Sequence, residues 1–165
     1  MTVVSAPDQG VIRGVGLGPL TKPWRSIQLH DIVGGPGQTA VRLVKDPDPE
    51  NTVAVDGLLT EDLAADSAPV GRAQGTYMTG SMRRPVFVVS VTLLLAVGPY
   101  NGSTLVVAGR DDTSEPVREL AVVSWTGLLW RAEGHVLWST AKVESPLHAV
   151  LVPVPRPTST NWQPF

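Results

Sequence analysis

The chain has 165 residues, 42% of them hydrophobic and 17% charged, which is enough material for one domain with a buried core. A formal net charge of −2 leaves no basic footprint for nucleic acid. The absence of cysteine excludes a disulfide framework and suits a reducing compartment.

In chain order, residues 1–23 come first, with glycines at 10, 14, 16 and 18 and prolines at 7, 19 and 23, and read as an irregular arm. The piece GVGLG lacks the preceding strand and following helix of a nucleotide-binding turn. No basic stretch precedes a long apolar run here, so no secretory leader is expected and the cytoplasm is the expected location. Strand-like runs follow at 24–32, 39–44, 51–57, 70–77, 86–97, 103–109, 118–124, 128–140 and 147–154, separated by turn formers such as GGPGQ, KDPDPEN and RDDTSEP. The run Val86 to Val97 is about half the roughly 20 residues that span a bilayer as a helix, so it reads as a buried strand. Asn101-Gly102 predicts a tight type I′ hairpin, and LLTEDLAAD (58–66) predicts a helical turn or two. Many strands with little helix between them indicate an all-β sandwich or barrel. Residues 155–165, rich in proline and threonine, read as a linker-like tail.

Three motifs stand in a fixed order: VGRAQGTY at 70–77, YNGSTLVVAGR at 100–110, and VRELAVVSWTGLLWRAEGH at 117–135, with HDI at 30–32 ahead of them. In this order they resemble the signatures of the dirigent family, and the similarity runs over residues 24–154. The resemblance implies an eight-stranded antiparallel β-barrel, commonly trimeric, with an open central cavity. Because neither a leader nor a cysteine pair is visible, the chain looks like the dirigent half of a monocot chimera in which a jacalin-type lectin domain follows, with the tail leading toward it.

Family members that steer the coupling of two phenoxy radicals use cavity acids, tyrosines and an arginine. By the resemblance, Asp31 matches a cavity aspartate and Tyr77 a cavity tyrosine, whereas a second tyrosine falls at Thr79, an aspartate at Leu128 and an arginine at Glu133. Those three exchanges remove hydrogen-bonding or charged partners of reacting atoms. The leading expectation is therefore a non-catalytic carbohydrate-binding barrel in a defence lectin, with Asp31 accepting from vicinal hydroxyls and Tyr77 covering a sugar face. A pocket for phenoxy-radical coupling and a purely structural oligomerisation module are the alternatives. Ile27, Leu29 and Asp31 share one strand face by the period of two, which predicts an aspartate at a barrel mouth. Trp125, Trp130 and Trp138 are expected in the core. His30, His135 and His148 have no metal-ligand spacing, and no cofactor is expected. The doubly apolar strand at 86–97 predicts self-association into a trimer or dimer.

Overall fold

A computed structural model describes residues 27–43, 52–64, 66–129, 134–145 and 148–157. Nine strands appear in the described residues: β1 (Gln28–Ile32), β2 (Ala40–Arg42), β3 (Thr52–Thr60), β4 (Pro69–Thr79), β5 (Val86–Leu95), β6 (Thr104–Asp112), β7 (Arg118–Trp125), β8 (Gly134–Ser145) and β9 (His148–Pro157). Each corresponds to one of the nine runs expected from the sequence. They form a single antiparallel sheet in which β3 through β9 pair consecutively. β1 joins β9 on one side and β3 on the other, so the sheet closes on itself.

Nine strands fill eight barrel positions because two of them share an edge. β1 pairs with the Leu58–Thr60 end of β3, and β2 resumes along Val53–Val55 of the same strand. The excursion between them carries the glycines of GGPGQ and is tied back by Thr39, whose backbone N–H donates to the Ile32 carbonyl. The result is a closed eight-stranded β-barrel.

Strict alternation decides which way the walls face. On β5 the residues Val89, Val91, Leu93 and Leu95 are buried while Val88 and Ser90 are exposed, so the long apolar run has one inward face rather than two equal ones. One end of the barrel is packed solid by Ile27, Leu59, Val70, Leu93, Leu105 and Val136 among others. Burying each such side chain contributes about 1.5–3 kcal/mol. Trp138 is buried in this core and Trp125 packs against it, while Trp130 lies outside the described residues.

Local chemistry departs from expectation at three places. Asn101-Gly102 does not make a type I′ hairpin. Asn101 has φ −51° and ψ 129°, Gly102 has φ +81°, and the Ser103 N–H donates to the Tyr100 carbonyl, which together define a type II turn. A single-turn 3-10 segment at Gly98–Tyr100 precedes it, so β5 and β6 pair as expected but across a longer loop. LLTEDLAAD forms no helical turn over its described part. Leu58, Leu59 and Thr60 extend β3 because β1 and β4 both pair there, and Glu61–Ala64 only bend. Tertiary pairing overrides a weak helical preference.

Finally, β9 runs to Pro157, opposite Gly134, three residues beyond the expected strand end and into the stretch read as a tail. Pro153, Pro155 and Pro157 sit at alternate positions opposite Trp138, Val136 and Gly134. Beyond Leu151, β9 has no described pairing to β1. A shared parity lets all three missing N–H groups face away from β8, which is how proline is tolerated at a strand edge.

Candidate functional site

Several strands meet at the other end of the barrel: β1, β4, β6 and β8 finish there and β5, β7 and β9 begin. Their inward side chains do not fill the space, and a cavity of about 620 Å³ remains. That volume is in the range of small-molecule sites. The barrel is thus a cup, solid at one end and open at the other. Most of the wall is apolar, supplied by residues such as Leu29, Val55, Phe87, Val89, Val91 and Leu151.

Two polar stations interrupt this wall. Asp31, on β1, follows inward-facing Leu29 by two residues, as the period of two predicts. The Tyr77 hydroxyl on β4 donates to Asp31 Oδ2 at 3.3 Å. Burial, reinforced by the charge of Asp31 and by this hydrogen bond, holds the Tyr77 phenol well above its ordinary pKa, and the Arg42 cation works against the shift only weakly. Tyr77 therefore stays a neutral donor across the physiological range. Its ring meets Phe87 edge-on with centroids 5.4 Å apart, which fixes the ring against the wall.

The second station was not foreseen. Arg118, the first residue of β7, donates through Nε to Asp111 Oδ1 on β6 at 2.6 Å, with side chains only 3% and 9% exposed. Its Nη2 donates to Thr140 Oγ1 at 3.1 Å. A buried charge pair of this kind is tolerated only when hydrogen bonds replace the lost water. Around the ring the order is β1, β3, β4, β5, β6, β7, β8, β9, so β1 and β6 lie four positions apart in either direction. The two carboxylates stand on opposite walls of one cavity.

The expected site residues are distributed unevenly. Asp31 and Tyr77 line the cavity and touch each other. Thr79 follows Tyr77 on the same face, opposite Phe87, and is not among the residues lining the cavity. Leu128 is 52% exposed on a 3-10 turn, and its N–H donates to Ser103 Oγ. That turn packs beside the loop between β5 and β6 at the closed end, so Leu128 takes no part in the cavity. The acid-to-leucine exchange inferred there thus falls away from the residues that line the cup. Glu133 lies outside the described residues.

Asp111 and Arg118 had a legible signal. GRDD at the end of a strand and VREL at the start of the next place an acid and a base on neighbouring strand ends, but only the register shows that both face inward. His30 is buried on the opposite face of β1, with Nε2 3.0 Å from Thr60 Oγ1. Since the Thr60 hydroxyl donates to the Asp62 carbonyl, His30 donates to Thr60 and acts as a structural clasp. Among the described residues no cluster of His, Cys, Asp and Glu is suited to a metal, and no helix is long and apolar enough to cross a membrane.

Comparison with known proteins agrees with this architecture. The description Dirigent-like protein matches residues 26–154. Dirigent protein 1 of Arabidopsis thaliana is 37% identical over 122 residues, covering 69% of this chain and 66% of its own length. Pterocarpan synthase 1 of Glycine max is 40% identical over 114 residues, covering 64% and 61% respectively. The chain thus spans slightly under two thirds of the length of these relatives. Among solved structures, the pterocarpan synthase dirigent protein GePTS1 superposes with a TM-score of 0.72 at 31% identity, covering 76% of this chain and 82% of that one. With a motif order, a cup-shaped barrel and a family match over most of its length, the chain belongs to the dirigent family.

Proposed function

We propose that the cup binds a reactive phenolic intermediate made by a separate oxidant, a quinone methide or a phenoxy radical, and fixes the face on which its new bond forms. The observation that carries this reading is the pair of opposed acid stations, Asp31–Tyr77 and Asp111–Arg118, across an otherwise apolar cavity. Apolar walls suit aromatic rings, and a station at each side fixes the oxygen atoms, so one orientation is preferred.

The chemistry asked of the site is modest. When a hydroxyl adds to a quinone methide, the carbonyl oxygen gains a proton and the attacking oxygen loses one. Tyr77, kept neutral, gives the first proton, Asp31 accepts the second, and the 3.3 Å hydrogen bond between them returns it to Tyr77, so nothing is consumed. Arg118, held by Asp111 on the facing wall, offers a hydrogen-bond donor to a second oxygen of the ligand and so helps to orient it. For radical pairs the same stations act only by holding two phenols in register.

Relatives named pterocarpan synthase, at up to 40% identity, support a role in controlling bond formation over mere storage. The sugar-binding reading rests on Asp31 and Tyr77 alone, and the valine, leucine and phenylalanine walls do not offer a sugar the polar partners its hydroxyls need. A jacalin-type lectin partner and self-association into a trimer or dimer belong to this proposal too; light scattering reads the latter.

The test is a coupling or cyclisation of a phenol by a separate one-electron oxidant, with and without the protein, analysed by chiral chromatography. An enantiomeric excess that appears with the protein and disappears in Asp31→Ala supports the proposal. A racemic product at saturating protein, with every phenol tried, overturns it.

A further inference from the structure

The first station carries a tension that its own two residues do not resolve. Asp31 and Tyr77 share a hydrogen bond, so a ligand oxygen that accepts from Tyr77 lies beside a carboxylate. Negative charge gathering on that oxygen, as it does when a hydroxyl adds to a quinone methide, is repelled by Asp31. The second station does not offset this repulsion, because the Arg118 charge is already matched by Asp111 at 2.6 Å.

Register brings another cation to the first station. Arg42 ends β2 directly across from Val53, and Val53 stands across from Tyr77, so the three share one side of the sheet. That side is the interior, since Ala40 is fully buried while Val41, between it and Arg42, is 53% exposed. Arg42 itself is exposed, which puts its side chain at the open rim. Two strand spacings set the Cα atoms of Arg42 and Tyr77 about 10 Å apart, a gap that two long side chains lean across. Burial first, and Asp31 second, raise the Tyr77 pKa, and the Arg42 charge is the influence that lowers it. Arg42 makes no ion pair among the described residues, so no carboxylate there cancels its charge. Lys142 does not take this role. It borders the cavity, but β8 slips register between Thr140 and Lys142. The slip moves Lys142 off the inward parity of Trp138 and Thr140, into the row of Val150 and His30 on the other face.

We propose that Arg42 is a positioning residue of the first station, a rim cation that offsets Asp31 and lets Tyr77 hold a ligand oxygen bearing negative charge. The inference rests on the phenol-binding reading above and deepens it. Asp31 remains the proton acceptor. The ligands favoured are phenols conjugated to an electron-withdrawing group, and quinone methides as they are attacked.

The experiment titrates 4-nitrophenol bound to the protein, because its phenolate absorbs visible light and the phenol does not. Arg42→Gln should lower the phenolate-to-phenol ratio of the bound probe about two- to fivefold at a given pH, the size of an exposed charge's effect. Asp31→Asn should move the ratio the opposite way, because the repelling charge is gone. Arg42→Lys should match the parent, and added salt should shrink the effect of Arg42→Gln. The melting temperature of Arg42→Gln should equal the parent's, as for an exposed side chain outside the core. An unchanged ratio in Arg42→Gln, with the ratio raised in Asp31→Asn, overturns this inference while the phenol-binding reading stands. A ratio moved by Arg42→Gln but not by Asp31→Asn places the probe outside the first station and overturns the inference too. Failure of the probe to bind, or a ratio that neither variant moves, overturns both readings.

Discussion

Arg118→Met is the perturbation that most sharply reads the second station. The guanidinium is 3% exposed and the Asp111 carboxylate 9%, so truncating the cation leaves a carboxylate with little water and no counter-charge. Its Thr140 partner also loses a donor. Breaking one side of a buried pair costs about 3–5 kcal/mol, a large share of the roughly 5–15 kcal/mol that holds a domain together. At about 2–4 °C per kcal/mol for a domain of this size, the melting temperature should fall by roughly 6–20 °C. Denaturant unfolding measures the same loss as a lower midpoint with an unchanged slope. The double variant Asp111→Leu/Arg118→Met should recover most of it, because the orphaned charge is gone and the apolar wall accepts the new side chains. A loss below about 1 kcal/mol for Arg118→Met, or a double variant no better than the single one, refutes the claim that this pair is a desolvated unit.

Three further outcomes follow from particular contacts. The fold raises the Tyr77 pKa by burial and by the neighbouring Asp31 charge, so its contribution to stability is complete below the ordinary phenol pKa of about 10 and declines as pH rises beyond it. Tyr77→Phe should flatten that alkaline decline in a pH series of melting temperatures. Asp112 is held down to about 2, first by the Ser114 hydroxyl, with Arg110 and Arg84 adding to it. Its contribution is present above about pH 4 and lost as pH falls toward 2, so Asp112→Asn should reduce stability at pH 6 more than at pH 2 in the same series. A Cβ at Gly75 would collide with the Ser90 carbonyl oxygen of β5, so Gly75→Ala should cost about 1–3 kcal/mol in chemical unfolding although the backbone there is ordinary strand.

The fold was largely legible because it is written in local periodicity and turn residues. All nine strand runs are present, and the period of two in the HDI segment predicts which side of β1 faces in, whereas the run at 86–97, apolar at both parities, hides the inward side that the burial of β5 reveals. Closure was not legible from alternation, since it depends on β1 and β2 sharing one edge of β3, a matter of long-range register. Motif resemblance supplied the eight-stranded count. The site was legible only where one strand carries the signal. Asp31 follows Leu29 by two residues and lies at the mouth as the period requires, while Leu128 fails because a 3-10 turn, not a strand, carries it at the far end. The Asp111–Arg118 pair and the bulged wall of β8 arise from the register between strands, which no single stretch of sequence records.

The central claim is that opposed acid stations hold a phenolic ligand inside the cup. A crystal structure of the protein with a bound phenol tests it most directly. The account predicts the ring among Phe87, Val89 and Val91, with one oxygen within hydrogen-bond reach of Asp31 or Tyr77, or of Arg118 on the facing wall. A phenol bound to the outer wall, or one lying in the cavity with its oxygens touching neither station, contradicts it.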